Sequence, residues 1–399
     1  MALNTVSSDR LSTNVKNTNF TAAEKQDLTN DILPLATQFG QSKNLIINGA
    51  MNVAQRGTSS TTFGYHTVDR FQTDGGGHDE IPTQAQVDVS SSDTPYTLGL
   101  TKAWKITNGN QTSGAGAADY MRLNHKIEAQ VIRNSGWNYK SSSSNITLSF
   151  WVKSSVAQTF YLTVKAEDSP SYLYATPYSA TTSWTKITKT IPGNSNLVFN
   201  NDSGVGLTLF FTLFYGTDYT DNSVSDDTWG AYNGSNQTKD QTSTWYTTND
   251  ATFELTGVQL EVSSVATDFE HRSFGQELAL CQRYLYKTYD YATVPGTATF
   301  VGAQHGRNFD PGAARSSVPI CLNFPVRMRA VPTLTWYAGD GQSNRYSTGS
   351  TVGGSDLTTE NSVGTSIDES ETGIYHANFS EDVPATNLYA YHVVAAAEL

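Results

Sequence analysis

The stretch ITLSFWVKSSVAQTFYLTVK, residues 146–165, decides how the chain folds. Ile146, Leu148, Phe150 and Val152 alternate with Thr147, Ser149, Trp151 and Lys153. After SSVAQ, Phe160, Leu162 and Val164 alternate with Thr159, Tyr161, Thr163 and Lys165. A period of two is the signature of extended chain with one face buried and the other polar. The short SSVAQ connection fits a hairpin loop. The pattern therefore predicts a β-hairpin in which Trp151 and Tyr161 share an outward face with Lys153 and Lys165.

Working outward, strand signals continue on both sides. NLIINGAMNVAQRG from Asn44 holds two apolar runs around Asn48-Gly49, a strong turn dipeptide. TVDRFQ and the turn-rich DGGGHDE come next. Downstream lie WTKITKTI from Trp184, GLTLFFTLFY from Gly206 and ATFELTGVQLEV from Ala251. Strands separated by turns, without intervening helices, predict a sandwich rather than a parallel sheet. The period then changes. Ser273 and Gln276 have capping-box spacing, and Phe274, Leu278, Cys281 and Leu285 form an apolar stripe at helical spacing. Beyond Val294-Pro-Gly296, TATFVGAQ, SVPICLNF, PTLTWYA, GIYHANFS and LYAYHVVAA read again as strands.

The expected fold is mainly β. A short helical N-terminal segment, 1–43, serves docking or oligomerisation, with a frayed terminus as the alternative; a β-sandwich spans 44–272; a connecting helix lies in 273–294; and a smaller C-terminal β-sandwich spans 295–399. The N-terminal helix is read from the Thr21/Glu24 capping spacing and from Leu28, Ile32 and Leu35, with Pro34 limiting it.

Composition narrows the function. Charged residues are 16% of the chain and the net charge is −12. There is no Lys/Arg cluster to displace counterions, which argues against nucleic acid and against an anionic membrane as partners. No apolar run approaches the ~20 residues that span a bilayer. MALNTVSSDRLSTNVKN lacks the apolar core of a secretory signal, so the expectation is synthesis and folding in the cytoplasm. Cys281 and Cys321 read first as two buried thiols and second as one disulfide, which sequence alone does not decide, and two isolated cysteines do not make a zinc site.

Catalytic constellations are missing from the sequence. The acidic pairs Asp79-Glu80, Glu167-Asp168 and Asp226-Asp227 lie in polar turns, where carboxylates are usually solvated. There is no HExxH and no GxSxG, and DGGGHD lacks the Lys-Ser/Thr of a phosphate loop. The chain reads as a non-enzyme without a cofactor.

Three pieces carry a family likeness. NLIINGAMNVAQRG with TVDRFQ, the pair SFWVKSS and SWTKITKTIPG, and TGVQLEVSSVATDFEHRSFGQELALCQRYLY resemble tail-fibre and structural proteins of tailed bacteriophages. In those proteins this region, here about Asn44 to Tyr286, looks like a carbohydrate-binding-module jelly roll. FPVRMRAVPTLT from Phe324 and the ending AAAEL are similar to their small C-terminal domain. The likeness implies a virion component, a homotrimer, other virion proteins as partners through the N-terminal segment, and host surface polysaccharide as target. Related modules commonly carry an acidic or aromatic-acidic pair after the opening Asn-Gly, near a structural calcium; here Ala50-Met51-Asn52 stands at that place, with no carboxylate.

Sugar binding needs flat rings for the C–H face of a pyranose and neutral polar groups for its hydroxyls. Two places offer rings: Trp151 with Tyr161 on the outward strand face, and Trp229, Tyr232, Trp245 and Tyr246 in the long aliphatic-poor loop 216–250. Asp218, Asp221, Asp226 and Asp227 crowd the same loop. Hard oxygen ligands suit Ca²⁺, but the spacing matches no EF-hand, so a solvated acidic loop is the first reading and a calcium site the second. The expected role is non-catalytic recognition of host glycan by a virion tail fibre or appendage. The alternatives are a purely structural virion protein and a polysaccharide depolymerase.

Overall fold

The computed structural model describes residues 43–308, 315–349, 359–383 and 387–399. The N-terminal helix expected within residues 1–43 lies almost wholly outside these. Residues 44–399 form one compact unit. Twelve strands make the first domain: β1 Ser59–Ser60, β2 Phe71–Gly76, β3 Thr83–Asp88, β4 Lys102–Thr107, β5 Tyr120–Glu128, β6 Asn145–Ser154, β7 Gln158–Ala166, β8 Tyr172–Ala180, β9 Thr185–Pro192, β10 Val205–Tyr215, β11 Thr228–Ala231 and β12 Thr252–Glu261. One sheet runs β1-β3-β4-β12-β6-β9 and the other β11-β8-β7-β10-β5-β2, all pairs antiparallel. This is a jelly-roll sandwich. Four short helices interrupt the strands: α1 Thr94–Thr97, α2 Ala129–Arg133, α3 Thr244–Thr247 and α4 Phe274–Gln282.

The expected hairpin of residues 146–165 does not form. β6 pairs with β12 and β9 in the first sheet, while β7 pairs with β10 and β8 in the second. The chain crosses between layers at 155–157. The apolar sides of the two strands thus face each other across the core instead of lying side by side. Phe150 meets Phe211 edge-on at 5.0 Å, and Phe160 meets Phe253 at 5.3 Å. Trp151 and Tyr161 consequently lie on opposite outer faces of the sandwich.

The opening motif is held by its own amides. The Asn48 side chain donates to the carbonyls of Val53 and Asp69 at 2.8 and 2.9 Å and accepts from Val53 N–H. Gly49 is required because a Cβ there would lie 2.1 Å from the Val258 carbonyl oxygen. The capping box at Ser273 and Gln276 is present. The helix stripe differs from expectation: Phe274 is 47% exposed, Leu285 falls beyond the helix in a strand, and Glu277 is buried beside Cys281. A carboxylate belongs there because the Asn48 N–H and the Arg272 guanidinium both point at it.

The second domain holds β13 Leu285–Lys287, β14 Gln304–Arg307, β15 Arg315–Asn323, β16 Thr333–Tyr337, β17 Arg345–Gly349, β18 Thr359–Ser370, β19 Gly373–Val383 and β20 Leu388–Ala396. β20 is its hub, flanked by β13 and β16 along one half and by β14 and β17 along the other. Its core is separate from that of the jelly roll. Both cysteines are free; Cys281 is buried as expected, but Cys321 is exposed. Among the described residues no helix is long and apolar enough to cross a membrane.

The two domains meet through polar groups. Arg283 forks onto Glu128 at 2.8 Å through both Nε and Nη2, and Tyr284 donates to the same carboxylate at 2.6 Å. Lys287 donates to the carbonyls of Gln55, Tyr291 and Thr293. Arg329 reaches Ser203, Ala397 and Glu398 carbonyls. A joint of this kind is specific in register, because each buried donor must find its acceptor.

A pH dependence arises from His125, buried against the Phe71 ring at 4.6 Å. Burial, and then the nearby Arg70 charge, hold its pKa well below the ordinary value, so the folded protein carries it neutral. Unfolding frees it to bind a proton below about pH 6.5. Its contribution to stability is therefore present above that pH and is lost as pH falls, by up to about 1.4 kcal/mol per unit. Thermal melts from pH 8 to 5 should show the decline, and His125→Gln should flatten it. Equal slopes in both proteins would exclude His125 as the cause.

Candidate functional site

Four of the six rings expected to meet sugar are closed off. Trp245 and Tyr246, on α3, are fully buried between the sheets. Trp245 Nε1 donates to the Thr252 carbonyl at 3.1 Å, and Tyr246 stacks on Phe214 at 4.6 Å. Trp229 is inward on β11, with Nε1 on the Pro192 carbonyl at 2.7 Å. Tyr161 is outward-facing but only 6% exposed. The loop rings are local core, which is why a segment so poor in aliphatics is ordered. Trp151 is half-buried on the outer face of the first sheet, over Gly257 and beside Leu100. Tyr232 alone is open, 37% exposed, with Lys165 Nζ 4.0 Å from its ring centre.

The four aspartates do not converge. Asp221 accepts from Ser223 N–H at 2.8 Å and from the Asn236 amide, and the Ser223 hydrogen bonds hold its pKa below the usual carboxylate range. Asp226 pairs with Lys239 at 2.8 Å. Asp227 lies 3.5 Å from the Tyr174 hydroxyl, and Asp218 is exposed. Among the described residues no group of three or more His, Cys, Asp or Glu side chains is placed to hold a metal ion.

The structure draws attention instead to the outer face of the second sheet. Register places three rows across β5, β10, β7 and β8: Arg122–Thr212–Tyr161–Pro177, Asn124–Phe210–Thr163–Ala175 and Lys126–Thr208–Lys165–Leu173. Phe210 is the central ring, 6% exposed, with the Arg122 guanidinium 4.5 Å above it. On either side of it, Asn124 Oδ1 and Thr163 Oγ1 are buried without a hydrogen-bond partner, while the Thr212 hydroxyl lies against the Tyr215 phenol. Such groups cost free energy unless something satisfies them. The cations of the face are engaged: Arg122 with Asp74 at 2.6 Å, Lys165 with Glu167 at 2.7 Å, and Lys126 with the Leu399 carbonyl at 2.7 Å.

The 216–250 segment rims this face. Tyr215 donates to Gln237 at 3.3 Å, and Asp226 lies near Tyr161. Burial first, then Asp226 and Asp227, push the Tyr161 phenol up to about 12, so it stays a neutral donor. The carboxylates of the three acidic pairs are also engaged. Asp79 accepts from Ser113, Glu80 from Asn110, Glu167 from Thr208 and Asp168 from Asn200. Sequence reasoning missed Phe210. The signal was present in GLTLFFTLFY, where an aromatic interrupts the polar face between Thr208 and Thr212.

Comparison with known proteins is sparse in sequence and broader in structure. No family model and no curated protein matches the chain. Among solved structures, a family 4 carbohydrate-binding module is 13% identical with a TM-score of 0.27, the match covering 55% of this chain and 99% of that one. A putative sugar-binding protein from Bacteroides thetaiotaomicron is 13% identical with a TM-score of 0.30, covering 55% and 100%. The enzymatically active domain of tailspike protein 4 from bacteriophage CBA120 is 8% identical with a TM-score of 0.30, covering 55% and 22%.

Proposed function

We propose that this protein binds a neutral surface polysaccharide along the outer face of the second jelly-roll sheet, without cleaving it, as part of a virion tail fibre or appendage. The observation that carries the reading is the pair of unpartnered polar atoms, Asn124 Oδ1 and Thr163 Oγ1, on the strands either side of the Phe210 ring. A sugar hydroxyl donates and accepts at once, and a pyranose C–H face covers a ring. The cations of the face already have partners, so a neutral ligand asks for no uncompensated charge. Tyr232 is the open contact at the rim. Access to Phe210 requires the Arg122 guanidinium to swing aside. A homotrimer, attachment through residues 1–43 and residence in the virion belong to the same proposal, drawn from the sequence likeness.

The non-catalytic reading rests on the carboxylates beside the face. Asp74, Glu167 and Asp226 are each tied to a cation, Arg122, Lys165 and Lys239, so none of the three stands free beside the face. A purely structural virion protein is the second reading, favoured by how little of Phe210 and Tyr161 reaches the surface.

The test is a glycan array with the full chain, then the same array with Tyr232→Ala. Tyr232 is exposed, so the variant should melt as the parent does. Its affinity for the captured glycan should fall about tenfold, roughly 1.4 kcal/mol. Unchanged affinity would move the site elsewhere. No capture on any array would leave the structural reading, and release of reducing ends from a bound polysaccharide would restore the depolymerase.

A further inference from the structure

We propose a second ligand site, for a carboxylate-bearing sugar, on β14 of the C-terminal domain. A shallow, open depression is lined there by His305, Gly306, Arg307 and Leu388. His305 and Arg307 are two apart on one strand, so both project to the same side of it. Both are exposed, and neither side chain has a hydrogen-bond or ion-pair partner among the described residues. This is unusual in a chain whose other described arginines are largely paired. The floor is apolar: Leu388 is buried, and Phe300 packs against it. Gly306 keeps the backbone flat against the Tyr389 ring, since a Cβ there would come within 2.1 Å of it.

These groups define the chemistry of the ligand. A free guanidinium presents a planar fork that matches a carboxylate in two parallel hydrogen bonds. Among the described residues Arg307 is the one such cation lining the depression; partial burial of the His305 ring lowers its pKa, which leaves its imidazole a neutral donor and acceptor for a hydroxyl. One positive charge in a chain of net charge −12 suits a monoanion better than a phosphate dianion or a polyanion. The apolar floor suits the C–H face of a ring. A uronic acid combines all three features.

The full chain should be titrated with D-glucuronate, D-glucose and inorganic phosphate, observed by ligand NMR. Glucuronate is expected to saturate at about millimolar concentration, near −4 kcal/mol, with glucose and phosphate at least about tenfold weaker. Arg307→Gln, an exposed change, should cost glucuronate at least about tenfold, and His305→Ala about threefold. Absence of glucuronate binding, equal binding of glucose or phosphate, or an Arg307→Gln variant that binds like the parent would each overturn the assignment. The site is independent of the jelly-roll face, so Tyr232→Ala should leave glucuronate binding unchanged; loss in that variant would also overturn it.

Discussion

Replacement of Arg70 by methionine is expected to destabilise the protein by about 3–5 kcal/mol, the cost of breaking a buried ion pair from one side. Arg70 is 1% exposed, in the turn that leads into β2. Its Nη1 pairs with Glu398, its Nη2 donates to the Lys126 carbonyl at 2.8 Å, and its guanidinium lies 3.5 Å from the centre of the Tyr284 ring. Burial works against its charge, but Glu398, Tyr284 and Tyr65 more than offset this and raise its pKa. Methionine restores the apolar volume but leaves Glu398, 12% exposed, with Arg56 alone at 3.1 Å. Denaturant melts of Arg70→Met, Glu398→Gln and the double variant test the claim. The double variant should cost clearly less than the sum of the two single changes, because each single change strands a charge. A single-variant loss under 1 kcal/mol, or simple additivity, would mean that this pair does not join the domains.

Trp245→Ala should have an effect of similar size, about 3–5 kcal/mol, through a different term. The indole is fully buried, and its own backbone N–H is received by Gln158 at 2.9 Å. Beside it, Asn108 donates to the Tyr246 carbonyl at 2.6 Å. The change opens a cavity where α3 pins the 216–250 segment to the core. Faster proteolytic nicking within 216–250 should accompany the lower melting temperature. A native-like melt with faster nicking would place Trp245 as an anchor of the loop only, and a native-like melt with unchanged nicking would remove both roles.

Much of the architecture was readable from residue order. Alternation in 146–165 and the strand-like runs at 206–215 and 251–262 gave strands in the right places, and the Ser273/Gln276 spacing gave the helix start. Alternation does not encode a strand's neighbour. It reports which side of β6 and β7 is buried, and both a hairpin and a crossing between layers satisfy it equally. The same limit hid the surface. Trp245, Tyr246 and Trp229 carry polar tips that a loop can satisfy, so their sequence looks like a wet segment, yet carbonyls of Thr252 and Pro192 take the indole N–H groups inside. Phe210 was hidden for the opposite reason: in a run of Leu and Phe its outward register is visible only when the strand is counted residue by residue. Glu277 shows the remaining limit, since a carboxylate on a buried helix face is intelligible only once Asn48 and Arg272, distant in sequence or lying before the helix, are seen to meet it.

The position of β20 as hub has a consequence for biosynthesis. Every strand it pairs with precedes it in the chain. While the ribosome is still upstream of Leu388, β13, β14, β16 and β17 have emerged without the neighbour that closes them, and each is an open edge available to another nascent chain. The jelly roll, whose strands end at Glu261, has no such wait, so it is the part that can fold first and present Glu128 and Arg70 as a ready dock for the strands still to emerge.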